Sequence, residues 1–160
     1  MDYIYTAFLR QTVDAPSSVV VASLHFAALL ITNNLRMMYP ENSNTFPIDL
    51  QLFYGPSLLI NPKTDENVTN LTFYLRNDKF YDLATQLLFP SDGSNTILLI
   101  VSITDIPTYI RGSSILPMGA QGTNTTISLR KIDFELIIAP GRYDKASGDF
   151  YIDDGDFSSE

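Results

Sequence analysis

Apolar and polar positions change their spacing twice along this chain. Over residues 1–13, Tyr3, Ile4, Ala7, Phe8 and Gln11 recur at helical spacing. Asp14-Ala-Pro16 ends that helix, because the residue before a proline is pushed out of the helical region. Residues 19–31 are apolar except for Ser23 and His25, without a clear period, and the chain turns polar at Thr32-Asn-Asn34. The run is shorter than the ~20 residues of a bilayer-spanning helix, so no membrane span is expected. Its length suits the apolar part of a secretory signal, but Asp2 and Asp14 outweigh Arg10 where such a signal is positive. A buried helix or strand is the plainer reading.

Beyond Pro40 the helical spacing is gone. Glu41-Asn-Ser-Asn-Thr45 reads as a loop, and Ile48-Asp-Leu-Gln-Leu-Phe-Tyr54 stops at the turn Gly55-Pro56. Short β-type runs follow at 58–60, 71–75, 96–103, 109–110, 126–129, 134–138 and 150–152, divided by Pro, Gly, Asn and Asp clusters. Strands of that length and spacing predict a mainly β fold, an antiparallel β-sandwich or barrel. The run at 96–103 is apolar on both faces, so one of its sides should meet another element.

Composition narrows the function classes. The 160 residues are 45% hydrophobic and 18% charged, a globular balance. A net charge of -8 with scattered basic residues argues against nucleic acid as a partner. Without cysteine, a thiol nucleophile and a disulfide are ruled out, and no cofactor is expected.

Each candidate for chemistry has a bland counterpart. His25 is the sole histidine and the one possible base for a Ser-His-Asp triad, but its neighbours Val-Ala-Ser-Leu and Phe-Ala-Ala favour a buried residue. The acid pairs Asp78/Asp82 and Glu41/Asp49 sit in polar loops, without the apolar surroundings that raise one carboxyl into a general acid. Asp153-Asp-Gly-Asp156 with Ser158 and Glu160 has oxygen ligands at alternating positions, like half of a calcium loop, yet its glycine is misplaced and a solvated turn is the simpler reading. No metal site is expected. Tyr3, Tyr5, Phe8, Phe53 and Tyr54 could stack on sugars, although helical or strand spacing favours core. Three sequons, at Asn67, Asn70 and Asn124, are candidate N-glycosylation sites if the chain enters the secretory pathway.

Three blocks carry a family resemblance: Asp105-Ile-Pro-Thr-Tyr-Ile-Arg-Gly-Ser-Ser-Ile-Leu-Pro-Met118, Phe134-Glu-Leu-Ile-Ile-Ala-Pro140 and Ser147-Gly-Asp-Phe-Tyr-Ile-Asp-Asp-Gly155. Together they resemble the C-terminal β-domains of glycoside hydrolase family 31, the α-glucosidase family, in its fungal secreted form. Tyr3-Ile-Tyr-Thr-Ala-Phe8, Asp49-Leu-Gln-Leu-Phe-Tyr-Gly-Pro-Ser-Leu-Leu-Ile-Asn-Pro62 and Lys79-Phe-Tyr-Asp82 are similar to family segments in the same order. The resemblance implies that residues 1–46 are a helical remnant of the (β/α)8 barrel, 47–132 the proximal C-terminal β-sandwich, and 133–160 the start of the distal β-domain.

Two departures stand out. Residues 17–33 have no family counterpart, and an insertion or a translated intron would each give them; their apolar character favours the intron, since an insertion would need its own burial site. Ser113 stands where the family usually has glycine, and a positive φ there would strain serine.

In the family, two aspartates of the barrel act as nucleophile and acid/base. The resemblance places both before Tyr3, so no catalytic residue is expected here. The expected function is a C-terminal piece of an α-glucosidase, inactive alone and belonging to a secreted or secretory-pathway enzyme that meets its α-glucoside through the barrel. The alternative is a carbohydrate-binding or interaction module. Apolar surface left without barrel partners would favour self-association.

Overall fold

The computed structural model describes residues 32–62, 70–89, 91–93, 95–99, 102, 105–122, 128 and 131–150. The expected helix at 1–13, the run at 19–31, His25, Asn67, Asn124 and the acids at 153–160 lie outside them. The chain forms β1 (Thr32–Asn34), a single turn of helix α1 (Leu35–Met38) and a 3-10 turn (Ser43–Thr45). It continues through β2 (Leu52–Tyr54), β3 (Leu58–Ile60), β4 (Asn70–Tyr74), β5 (Phe80–Asp82), β6 (Leu88–Phe89) and β7 (Asn95–Leu99). β8 (Thr108–Arg111), β9 (Ser114–Gly119) and β10 (Phe134–Ala139) complete it. All ladders between these strands are antiparallel.

Six strands make the main sheet, in the order β1-β2-β3-β8-β5-β6, and two ribbons, β4-β7 and β9-β10, stand apart from it. Successive strand residues face opposite sides, and the centre of this sheet is apolar on both. Leu59, Tyr109, Phe53 and Phe80 point to one face, where Leu35 and Tyr39 of the α1 region and Phe73 of β4 join them in one buried cluster. The rings of Phe73 and Tyr109 stack with centroids 5.1 Å apart, and Phe89 lies 4.9 Å from Tyr109. Leu58, Ile110 and Tyr81, aligned across β3, β8 and β5, point to the other face and meet Leu116, Ile137 and Ala139 of the β9-β10 hairpin. The result is an antiparallel β-sandwich in which the main sheet is covered on both sides. Burying each such Phe or Leu contributes roughly 1.5–3 kcal/mol, so the two layers together supply the driving force for the fold.

A side chain stands in for a strand at one edge. Gln51 lies beside β4, where its Oε1 accepts from the Tyr74 N–H at 2.9 Å and its Nε2 donates to the Tyr74 carbonyl at 2.5 Å. Both backbone groups are thereby satisfied inside the core, where an unpaired one costs about 1–3 kcal/mol. Asn42 caps the 3-10 turn by accepting from the Asn44 N–H, and donates to the Tyr74 hydroxyl at 2.6 Å.

The structure amends several expectations. Within the described part of the run at 96–103, Asn95–Leu99 is a strand and Ser102 lies outside any strand. The expected strand at 126–129 fails at its one described position: Ser128 is helical, and its carbonyl accepts from the Lys131 N–H. Phe150 is not in a strand either; its ring packs edge-on against Phe134 at 4.6 Å.

Candidate functional site

The chain leaves the main sheet at the end of β8, turns through Gly112 and Ser113, and enters the hairpin at Ser114. Gly112 is there because its neighbours leave no room for a side chain. A Cβ on it would stand 3.0 Å from both Cβ and O of Lys79 and 3.2 Å from the Pro140 carbonyl. Its N–H donates to that Lys79 carbonyl at 2.7 Å. Ser113 has φ 67, the left-handed region that disfavours a side chain. The strain expected of serine at this corner is therefore present.

Three loops converge here, and their polar groups fix the hairpin to the sheet. Asp78 lies 3.8 Å from both Arg111 Nε and Arg142 Nε, and its Oδ1 accepts from the Lys79 N–H at 2.9 Å. Arg142 also donates from Nη2 to the carbonyl of Asn77 and, at 2.7 Å, to its Oδ1. Lys79 Nζ donates to Asp144 Oδ1 at 3.0 Å, and that bond raises the lysine pKa. The Tyr81 hydroxyl donates to the Pro140 carbonyl at 2.9 Å. A parallel bridge between Ser114 and Ser147 brings in the next segment, with the Ser147 N–H donating to the Ser113 carbonyl. The blocks at 105–118, 134–140 and 147–155, which carried the family resemblance, meet at this one junction through their described residues.

Beneath the junction lies Tyr39. Its ring is flanked by the guanidinium of Arg76 at 4.8 Å and that of Arg111 at 5.6 Å. Burial raises its pKa despite both cations, and among the described residues its hydroxyl has no hydrogen-bond partner. Sequence reasoning missed this residue; the aromatic-Pro pair Tyr39-Pro40 offered no period to place it.

Three of the four suspected acids are held as structural acceptors. Asp78 serves the two arginines, and Asp82 accepts from both the N–H and the hydroxyl of Thr85, closing the turn after β5. Glu41 lies 3.2 Å from Arg76 on the surface, and Asp49 is exposed. Of the suspected sugar-stacking rings, Phe53 is fully buried in the main cluster and Tyr54 is half-buried. Asn70 is exposed at the start of β4. The geometry is that of a junction clamped by guanidinium-carboxylate pairs and backbone bonds.

The fold is that of an antiparallel β-sandwich with a hairpin clamped to its main sheet. The chain matches the family model described as glycosyl hydrolase family 31 C-terminal domain over residues 29–116, more than half its length, and it belongs to that family. It is 42% identical over 156 residues to the probable alpha/beta-glucosidase of Aspergillus clavatus, covering 98% of this chain and 16% of that protein. Among solved structures, the glucosidase II alpha subunit in its DNJ-bound form superposes with a TM-score of 0.78 at 25% identity, covering 96% of this chain and 15% of that one. The ER glucosidase II heterodimeric complex, of a catalytic subunit and the binding domain of a regulatory subunit, gives 0.72 at 25% identity, over 82% of this chain and 15% of the other. The chain thus spans about a sixth of the length of the relatives it matches.

Proposed function

We propose that this chain is the C-terminal β-portion of an α-glucosidase-type glycoside hydrolase, working in the secretory pathway or outside the cell. Its role is to buttress a catalytic barrel rather than to cleave glycosidic bonds itself. The observation that carries this reading is the junction at Gly112-Ser113. The family's signature blocks are spent there on holding two β-layers together, and the described acids nearby are engaged by arginine or by turn hydrogen bonds. A retaining glycosidase needs two carboxyl groups about 5–5.5 Å apart across a sugar site, and in this reading the barrel supplies them. The similarity to glucosidases, one of them an ER enzyme, supports the secretory setting.

The test is an assay of the 160-residue chain with a chromogenic α-glucoside. No turnover above a heat-killed control is expected, and measurable hydrolysis would overturn the proposal. A calorimetric titration with maltose should be flat; saturable binding would instead mark a carbohydrate-binding module.

A further inference from the structure

Two consecutive sequons, Asn67-Val-Thr69 and Asn70-Leu-Thr72, lead into β4. β4 pairs only with β7 among the described strands, so its ribbon has one side toward the main sheet and one side away from it. Exposure along β4 runs exposed, half-buried, exposed, buried, buried. Leu71 and Phe73 pack on the main cluster, so the alternation of a strand turns Asn70 and Thr72 to the opposite side. That outer side is closed at one end and open at the other. Tyr74, which belongs to the main cluster and whose hydroxyl accepts from Asn42, closes one end, whereas Asn70 and Thr72 are both exposed. At a strand rise of about 3.3–3.4 Å per residue, the amide and the hydroxyl stand some 7 Å apart along β4 on the same open surface.

An N-glycan requires an asparagine with a hydroxyl residue two positions on, and in the folded protein it requires space for a bulky, hydrated chain. β4 provides both. We propose that Asn70 is an N-glycan acceptor whose glycan covers the open end of the outer face of β4. The inference rests on the secretory reading above, because the transferase acts only on chains that enter that pathway. The glycan would also stand beside an edge strand, where bulk and hydration discourage pairing with another chain.

The experiment expresses the full chain behind a secretory leader in yeast, so that entry is supplied and native localisation does not affect the result. Glycans are released enzymatically in 18O water and peptides are mapped from secreted and cell-retained pools. Isotope label at position 70 is expected, with release proceeding on the native chain without denaturant. Thr72→Ala should abolish the label, Thr72→Ser should keep it, and Thr69→Ala should leave it in place. Because transfer precedes folding, the cell-retained pool answers the question even for a variant that is not secreted. An unlabelled Asn70 in both pools, label confined to Asn67, or release only after denaturation would overturn the proposal. Failure of the secretory reading reads out separately, as cytosolic fractionation of the native full-length gene product while the leader-driven chain still carries its glycan.

Discussion

At the scale of single residues, the corner between β8 and β9 holds a stored strain with an identifiable partner. A left-handed backbone costs a residue with a side chain roughly 1–2 kcal/mol, and Ser113 sits at φ 67. Ser113→Gly relieves that cost but loosens the unfolded chain by about 0.4–1 kcal/mol, so a net gain of about 0.5–1 kcal/mol is expected in urea unfolding. The same serine limits Gly141, where a Cβ would stand 1.8 Å from Ser113 Oγ and 3.0 Å from its Cβ. Gly141→Ala alone should therefore cost about 1–3 kcal/mol, as other overpacked sites do. In the Ser113→Gly background both colliding atoms are gone, and the cost should fall by at least half. Equal costs in the two backgrounds would disprove the coupling. This corner was legible in the sequence, because serine stood where the resembling family has glycine. The role of Gln51 was not, since no pattern in Asp49-Leu-Gln-Leu52 says that its amide will serve the backbone of Tyr74, twenty-three positions on.

At the scale of elements, strands announced themselves where apolar runs were bounded by turn residues, as at β3, β8 and β10. β9 stayed hidden because Pro117 argues against a strand; it is tolerated since, among the described strands, β9 forms a ladder with β10 alone, its other edge meeting only Ser147 at its start. β1 is Thr-Asn-Asn, and pairing with β2 holds its two asparagines, poor strand formers, in place. β10 is unusual in being apolar on both sides: Ile137 and Ala139 pack inward, while Leu136 and Ile138 remain 56% and 59% exposed. With Phe134 beside them they form an open apolar stripe on a strand that pairs on one side among the described residues. Such a strand invites association. Sedimentation velocity should show a concentration-dependent rise in sedimentation coefficient that the Leu136→Lys/Ile138→Lys variant lacks. Surface changes of this kind shift stability by no more than about 0.5 kcal/mol, so unfolding should be little affected. A wild-type chain that stays monomeric at every concentration would defeat the prediction.

At the scale of the whole molecule, the sandwich class was readable from seven short runs, but the strand order was not. β8 joins the sheet between β3 and β5, which precede it by roughly fifty and thirty residues, and no local pattern encodes such a pairing. The same holds for the junction, whose blocks were visible as words while their convergence depends on that order. Placing β8 at the centre also buries Tyr109, at 1% exposure, and this gives the fold a titration of its own. Burial, with a smaller contribution from Asp82, pushes the phenol up from 10.0 to about 12. Below pH 10 the phenol is protonated in both folded and unfolded chains, so pH leaves its contribution unchanged. As pH rises from 10 towards 12, the unfolded chain loses the proton while the native chain keeps it, and stability falls. Two pKa units at 1.36 kcal/mol each correspond to about 2–3 kcal/mol. Tyr39, also raised by burial, should add to the loss in the same window. Urea midpoints followed from pH 9 to 11.5 should decline steeply in the wild type. They should decline less in Tyr109→Phe, which has no proton to lose; parallel declines would mean that the centre of the sheet is open to water.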